Sequence, residues 1–165
     1  MEYIIRQARP EDLDQVAEVE RICFPEAEAA GRESLRLRIQ AFPESFLVAE
    51  EQGGAIIGFI NGAVTDKKTI SDDMFEDVSL HRKDGAYQSI FGLDVAPDKR
   101  RQGIAAELME HMIRSAREAG RTGVILTCKD RLIPYYEKFG YRSMGVSASV
   151  HGGAVWYDMI LEFSV

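Results

Sequence analysis

Apolar residues recur along this chain at two spacings, and the places where one spacing gives way to the other divide it into elements. Tyr3 to Ala8 reads as a first strand. Leu13, Val16, Ala17, Val19 and Ile22 then return at helical intervals, so the pattern predicts a helix from Pro10, which a first turn accepts, through about Cys23. Pro25 breaks that period. A second helix is expected over about Arg32 to Ala41, carrying Leu35, Leu37 and Ile39. Phe46–Glu50 and Ala55–Ala63 read as paired strands about the turn Gly53-Gly54.

The next stretch, Thr65 to Gly85, is polar and poorly periodic, with Asp72, Asp73, Glu76 and Asp77 in a short acidic run. Loops of this length in compact folds are often functional. A strand from about Ala86 to Val95 follows. Ile104, Leu108, Met112 and Ala116 trace one face of a helix that Gly120 stops. Val124–Cys128 reads as a short buried strand and Asp130–Phe139 as a short helix. Two final strands, Tyr141–Val150 and Ala154–Phe163, flank the turn His151-Gly152-Gly153. In the last of them Val155, Tyr157, Met159, Leu161 and Phe163 alternate with Trp156, Asp158, Ile160 and Glu162, which predicts one apolar face.

The resulting order, β-α-α-β-β-β-α-β-α-β-β, describes an α/β fold: one mixed sheet of about seven strands flanked by about four helices. No repeat, low-complexity tract or linker divides it, so residues 1–165 are expected to form a single domain. Apolar residues make up 45% and charged residues 28%, an ordinary balance for a globular protein. No apolar run is long enough for a membrane span, and Met1 to Arg6 lacks a signal peptide's apolar region, so a cytoplasmic location without membrane contact is expected. The net charge of −7 argues against nucleic acid as a partner; it suits a cationic substrate, and it also suits plain solubility. Cys23 and Cys128 lack CxxC spacing, and His81, His111 and His151 lack metal-ligand spacing, so neither a disulfide framework nor a metal is expected. His111 and His151 are expected at the surface. Oligomeric state stays open, a homodimer included.

Candidate chemistry starts at Arg100-Arg101-Gln102-Gly103-Ile104-Ala105, which joins an apolar strand to an amphipathic helix. The N–H groups of a helix's first turn have no intrahelical acceptor and form a ready anion site. Gly103 and Ala105 leave room for a pyrophosphate, and the two arginines add charge. Neither GxxxxGK[ST] nor GxGxxG occurs, which disfavours the usual nucleotide loops. The segment resembles the acetyl-CoA loop of the GNAT superfamily of N-acetyltransferases, [Q/R]-x-x-G-x-[G/A] after a strand. A second segment, Tyr136-Glu137-Lys138-Phe139-Gly140-Tyr141, resembles that superfamily's Y-x-x-x-G-[FY] ending. With Leu80-His81-Arg82, Cys128 to Tyr136, and Glu20-Arg21 before Phe24, the likeness extends to the arylalkylamine (serotonin) N-acetyltransferase branch.

The resemblance implies a sheet splayed between its fourth and fifth strands, with acetyl-CoA as donor. Leu93, Asp94 and Val95 would pair with the pantetheine arm, and the Val95 N–H would polarise the thioester carbonyl. Arg100, Arg101, Gln102, Gly103, Ile104 and Ala105 would hold the pyrophosphate. Tyr136 would protonate the departing thiolate. The acceptor would be a small-molecule primary amine attacking directly in a ternary complex; a polyamine, an aminoglycoside, a protein N-terminus or a non-catalytic CoA sensor are the alternatives. The vertebrate serotonin enzymes carry two histidines where this chain has Ser89 and Phe91, so their base is missing here. Glu26 and Glu28, on the loop where the family builds its amine pocket, are the candidate bases.

Overall fold

The computed structural model describes residues 2–164; Met1 and Val165, the two ends of the stretch expected to form one domain, lie outside the described residues. Five helices and nine strands follow one another as β1 (Tyr3–Gln7), α1 (Leu13–Cys23), α2 (Arg32–Ala41), β2 (Phe46–Glu51), β3 (Ile56–Asn61), β4 (Val64–Thr65), α3 (Asp73–Glu76), β5 (Tyr87–Ile90), β6 (Gly92–Val95), α4 (Ile104–Glu118), β7 (Gly123–Cys128), α5 (Ile133–Glu137), β8 (Arg142–Val146) and β9 (Tyr157–Glu162). The mixed α/β class is as the apolar pattern predicts. The counts exceed seven and four for local reasons.

The two extra strands have separate origins. The expected strand Ala55–Ala63 ends at Asn61, and β4 forms beyond it, past Gly62, whose α-carbon lies so close to the Ser89 backbone that a Cβ there would sit 1.9 Å from the Ser89 carbonyl oxygen. Ala86–Val95 splits at Phe91, and its halves join different sheets: β1-β2-β3-β6 in one, β4-β5-β7-β9-β8 in the other. The polar stretch after Thr65 holds the short helix α3, which buries Met74. The last two strands are shorter than expected, because residues 147–156 leave the sheet. β9 also lacks a single apolar face. Both of its faces are covered, by α4 on one side and by Ile70 and Met74 on the other, so Met159 and Ile160, pointing opposite ways, are both buried.

Three apolar clusters hold the layers. On one side of both sheets, Ile104, Leu108, Met109, Met112 and Ala116 of α4 pack on Leu47, Ile60, Val124 and Met159. Leu13, Val16 and Val19 of α1 with Leu35 and Ile39 of α2 cover the other face of the first sheet. Ile70 and Met74 cover Tyr87, Ile125 and Ile160 of the second. Full burial of each such side chain is worth about 1.5–3 kcal/mol, so these stripes fix which helix lies on which face.

The split at Phe91 positions the site. Tyr87–Ile90 runs parallel to Gly123–Leu126 of β7. Beyond that point Gly92–Val95 pairs only with β3, while Thr127 and Cys128 pair only with β9. A wedge opens between β6 and β7.

Candidate active site

The wedge has a donor side made chiefly of backbone. The Ala96 N–H donates to the Ile57 carbonyl at 2.8 Å. Strand N–H groups alternate between edges, so the Val95 N–H turns to the opposite, open edge. Its own carbonyl confirms the direction: it accepts from Arg100 Nε at 3.1 Å and from the Cys23 thiol at 3.4 Å, not from β3. Past it the chain turns through Arg101, the one non-glycine residue with positive φ among those described (66°), and Gly103 (φ 81°) before α4 begins. Consecutive N–H groups in such a turn form a concave anion nest, here at the head of a 15-residue helix. Arg101, Gln102 and Gly103 are exposed, and Ile104 is buried beneath them as the loop's anchor.

The three neighbouring cations are not equivalent. Lys99 pairs with Glu51 at 3.2 Å, and Arg100 folds back onto the Val95 carbonyl. Arg101 is left exposed over the nest.

Across the wedge, Pro134 in the first turn of α5 sets the direction of a five-residue helix that carries Tyr136. The ring stands edge-on to Tyr135 and Tyr141, with centroids 5.2 and 6.0 Å away. Burial first, then the neighbouring Cys128, Tyr135 and Asp94, push the Tyr136 hydroxyl well above a tyrosine's ordinary range. It therefore keeps its proton at neutral pH. Burial likewise pushes the Cys128 thiol up to about 11, so that sulfur is not a nucleophile.

The acceptor side is a cavity of about 230 Å³ whose lining includes Leu93 and Tyr136. Four separated stretches wall it: Phe24 and Glu28 from the α1–α2 loop, Phe75 from α3, Phe91 from the strand break, and His151 and Trp156 from the chain between β8 and β9. His151 is a correction, since it is part of this wall and not a surface turn. Its ring stacks on Phe75 at 4.9 Å, and its Nε2 lies 2.9 Å from the Glu28 carbonyl oxygen. The Trp156 indole N–H donates to the His151 carbonyl at 2.8 Å. Gly152 (φ 62°) presses on the α1–α2 loop, where a Cβ would come within 2.6 Å of Glu28 Cγ. His111 lies half-buried on α4, far from these contacts in the chain's order.

Glu26 and Glu28 part company. Glu26 is exposed and faces an outer groove beside Arg21 and Arg32. Glu28 lines the cavity, and its Oε2 accepts from Lys129 Nζ at 2.9 Å. Lys129 also lies 5.7 Å from the centre of the Trp156 ring. Ser89 and Phe91 are otherwise employed: the buried Ser89 hydroxyl donates to the Ala63 carbonyl, and Phe91 lies beneath the Arg38 guanidinium at 4.8 Å.

An acetyltransferase (GNAT) family model matches residues 13–141 of this sequence, from α1 to the start of β8. The chain belongs to the GNAT acetyltransferase family. Among characterised relatives, the serotonin N-acetyltransferase of Mesocricetus auratus is 28% identical over 155 residues, covering 91% of this chain and 72% of the relative. Two solved structures share the fold. The GphF GNAT-like decarboxylase bound to isobutyryl-CoA superposes with a TM-score of 0.78 at 23% identity, covering 96% of this chain and 98% of that one. A GNAT family acetyltransferase of Brucella melitensis, in complex with acetyl-CoA, gives 0.64 at 19%, covering 99% and 90%. GNAT membership accounts for the splayed sheet and for the loop at the head of α4. The acceptor-side residues escaped the sequence reading for local reasons: Phe75 lies in the poorly periodic stretch after Thr65, His151 in a glycine turn, and Trp156 in what read as an alternating strand but lies outside β9.

Proposed function

We propose that this protein transfers the acetyl group of acetyl-CoA to the primary amine of a small molecule, by direct attack in a ternary complex. One observation carries the proposal: the Val95 N–H on the open edge of β6 and the Tyr136 hydroxyl, which keeps its proton, belong to opposite walls of the wedge beside the acceptor cavity. The anion nest at Arg101–Gly103 fits a pyrophosphate, and Gly103 presents bare backbone there with nothing within 4 Å of where a Cβ would stand. When bound, acetyl-CoA supplies an activated acyl group with a thiolate as leaving group.

The chain's own residues then have separate tasks. The Val95 N–H stabilises the oxygen that gains charge as the carbonyl is attacked, an interaction worth about 3 kcal/mol in other enzymes. Tyr136 gives its proton to the departing sulfur. The aromatic walls and Glu28 receive the acceptor. A small amine is favoured over a polypeptide because the segment carrying His151 and Gly152 is fastened to the α1–α2 loop beside the cavity.

The test is a panel of acceptors assayed for free CoA: arylalkylamines, polyamines, aminoglycosides and peptides with free N-termini. Turnover with the small amines and none with the peptides is the expected result. Turnover confined to peptides would overturn the proposed acceptor class, and CoA binding without turnover on any acceptor would overturn catalysis.

A further inference from the structure

An alkylamine near pKa 10.4 is almost wholly ammonium at pH 7, with roughly one molecule in 10³ neutral and reactive. Something must take that proton. Glu28 already holds Lys129, Glu26 faces outward, and Ser89 and Phe91 have no basic group to offer. The floor of the cavity does.

On β6, Asp94 points away from the α4 face toward α1. It is 1% exposed, and neither of its carboxyl oxygens has a hydrogen-bond partner of opposite kind among the described residues. Its neighbour is a second carboxyl. Glu20 on α1, 6% exposed, accepts the Ala30 N–H at 2.8 Å on Oε2 and turns its other oxygen toward Asp94. Both carboxyls converge beside Gly92: a Cβ there would lie 3.1 Å from Asp94 Oδ1 and 3.9 Å from Glu20 Oε1. Gly92 and Glu20 line the cavity, so the missing side chain leaves the pair open to it.

The buried cation nearby does not neutralise the pair by contact. Arg38 donates to Asn61 Oδ1 at 3.1 Å and to the Phe75 carbonyl at 2.8 Å, and its Nε has no acceptor among the described residues. Two carboxylates this close and this dry cannot both stay ionised. Burial, then Glu20, raise Asp94 well above the carboxylate range; Cys23 on α1 adds to this and Arg38 on α2 opposes it. Tyr136 on α5 is the remaining titrating neighbour that feels Asp94, with Glu28 and His151 on the cavity wall beyond.

We propose that Glu20 and Asp94, sharing one proton, form the acceptor for the substrate ammonium's proton, with Glu20 as the catalytic group and Asp94 positioning it and its proton. The proposal rests on the small-amine function given above. The ammonium gives one proton to the pair, which becomes uncharged, and leaves a neutral amine. The amine's lone pair forms the C–N bond as the C–S bond breaks. The thiolate takes the Tyr136 proton, and the tyrosinate recovers one from the nitrogen as it becomes an amide. The pair releases its extra proton to water when product leaves, so each turnover yields one amide, one thiol and one proton.

The experiment compares tryptamine, an ammonium at pH 7, with aniline, which is already neutral there. For Glu20→Gln, kcat/KM should fall about 100-fold with tryptamine and stay within about threefold with aniline, a split that a general structural defect would not produce. For Asp94→Asn, the acid limb of the tryptamine profile should move to higher pH, because the proton held by Asp94 no longer stabilises the pair's remaining negative charge. Equal losses with both amines would overturn the pair's role while leaving the acetyltransferase function standing. A wild-type protein that acetylates no small amine of the wider panel would overturn both. A readout independent of turnover is infrared absorption of the ligand-free protein at neutral pH. A protonated-carboxyl band present in wild type and missing from Asp94→Asn supports the shared proton, and its absence from wild type overturns it.

Discussion

The two walls of the wedge are built from different materials. The donor wall is backbone: one strand edge, one turn with two positive φ angles, one helix head, all within Gly92 to Ala105. The acceptor wall is side chain, and it gathers Glu20, Phe75, Phe91, His151 and Trp156 from distant parts of the chain. A backbone site tolerates changes of side chain so long as its glycine and its register persist. A side-chain site changes its ligand with every substitution. One fold can therefore keep its donor and vary its acceptor, and what holds this acceptor wall is a small set of long-range contacts.

If the comparison is sound, changes on each wall should disturb different constants. The largest effect is expected at Tyr136, where the walls meet. Tyr136→Phe removes the acid and little else, since the ring's packing on Tyr135 and Tyr141 survives. We expect kcat to fall by about 100-fold or more, with the Kd for CoA nearly unchanged by calorimetry. An unchanged kcat and pH–rate profile would remove Tyr136 from the mechanism. Next comes Gly103→Val, which forces a β-branched residue into a left-handed turn at a cost of about 1–3 kcal/mol. The turn should open, weakening CoA binding by about tenfold or more. The Michaelis constant for the amine should hold. A matching rise in that constant would show that the walls are not separable.

This division also explains what could be read in the sequence. Helix α2 falls on Arg32–Ala41 as its apolar spacing predicts, and the donor loop falls where Arg100 to Ala105 place it, because both depend on neighbours in the chain. The break at Phe91 was not legible. Nothing in the run Tyr87 to Val95 shows that its halves belong to different sheets; that follows from β3 and β7 competing for one strand. His151 was misplaced for a related reason. In sequence it begins a polar glycine turn, and only the stacking on Phe75 and the contact with Glu28 draw it inward. Asp94 was legible by position and not by role: its backbone pairs with Phe59 of β3, and its carboxyl meets Glu20 only because α1 packs over that face of β6.

The smallest expected effect is the most specific to the acceptor wall. Gly152 adopts φ 62°, and a Cβ there would come 2.6 Å from Glu28 Cγ and 3.1 Å from the Ala27 carbonyl oxygen. Two costs combine in Gly152→Ala: a non-glycine residue in the left-handed region, of order 1 kcal/mol, and an overlap that Glu28 can relieve only by rotating. Rotation strains its ion pair with Lys129, which is partly buried at 10% and 25% side-chain exposure. The pair need not break. Residues 149–153 can instead lift from the α1–α2 loop, because Asp72, which accepts the Val150 N–H at 3.0 Å, tethers them at the other end. Either response reshapes the wall without touching β6 or α4. KM for the amine should therefore rise about threefold to tenfold, which corresponds to roughly 0.6–1.4 kcal/mol, while CoA affinity and the aniline-to-tryptamine ratio stay fixed. A change in CoA affinity would mean that this segment also bears on the donor, and the two walls would have to be treated as one.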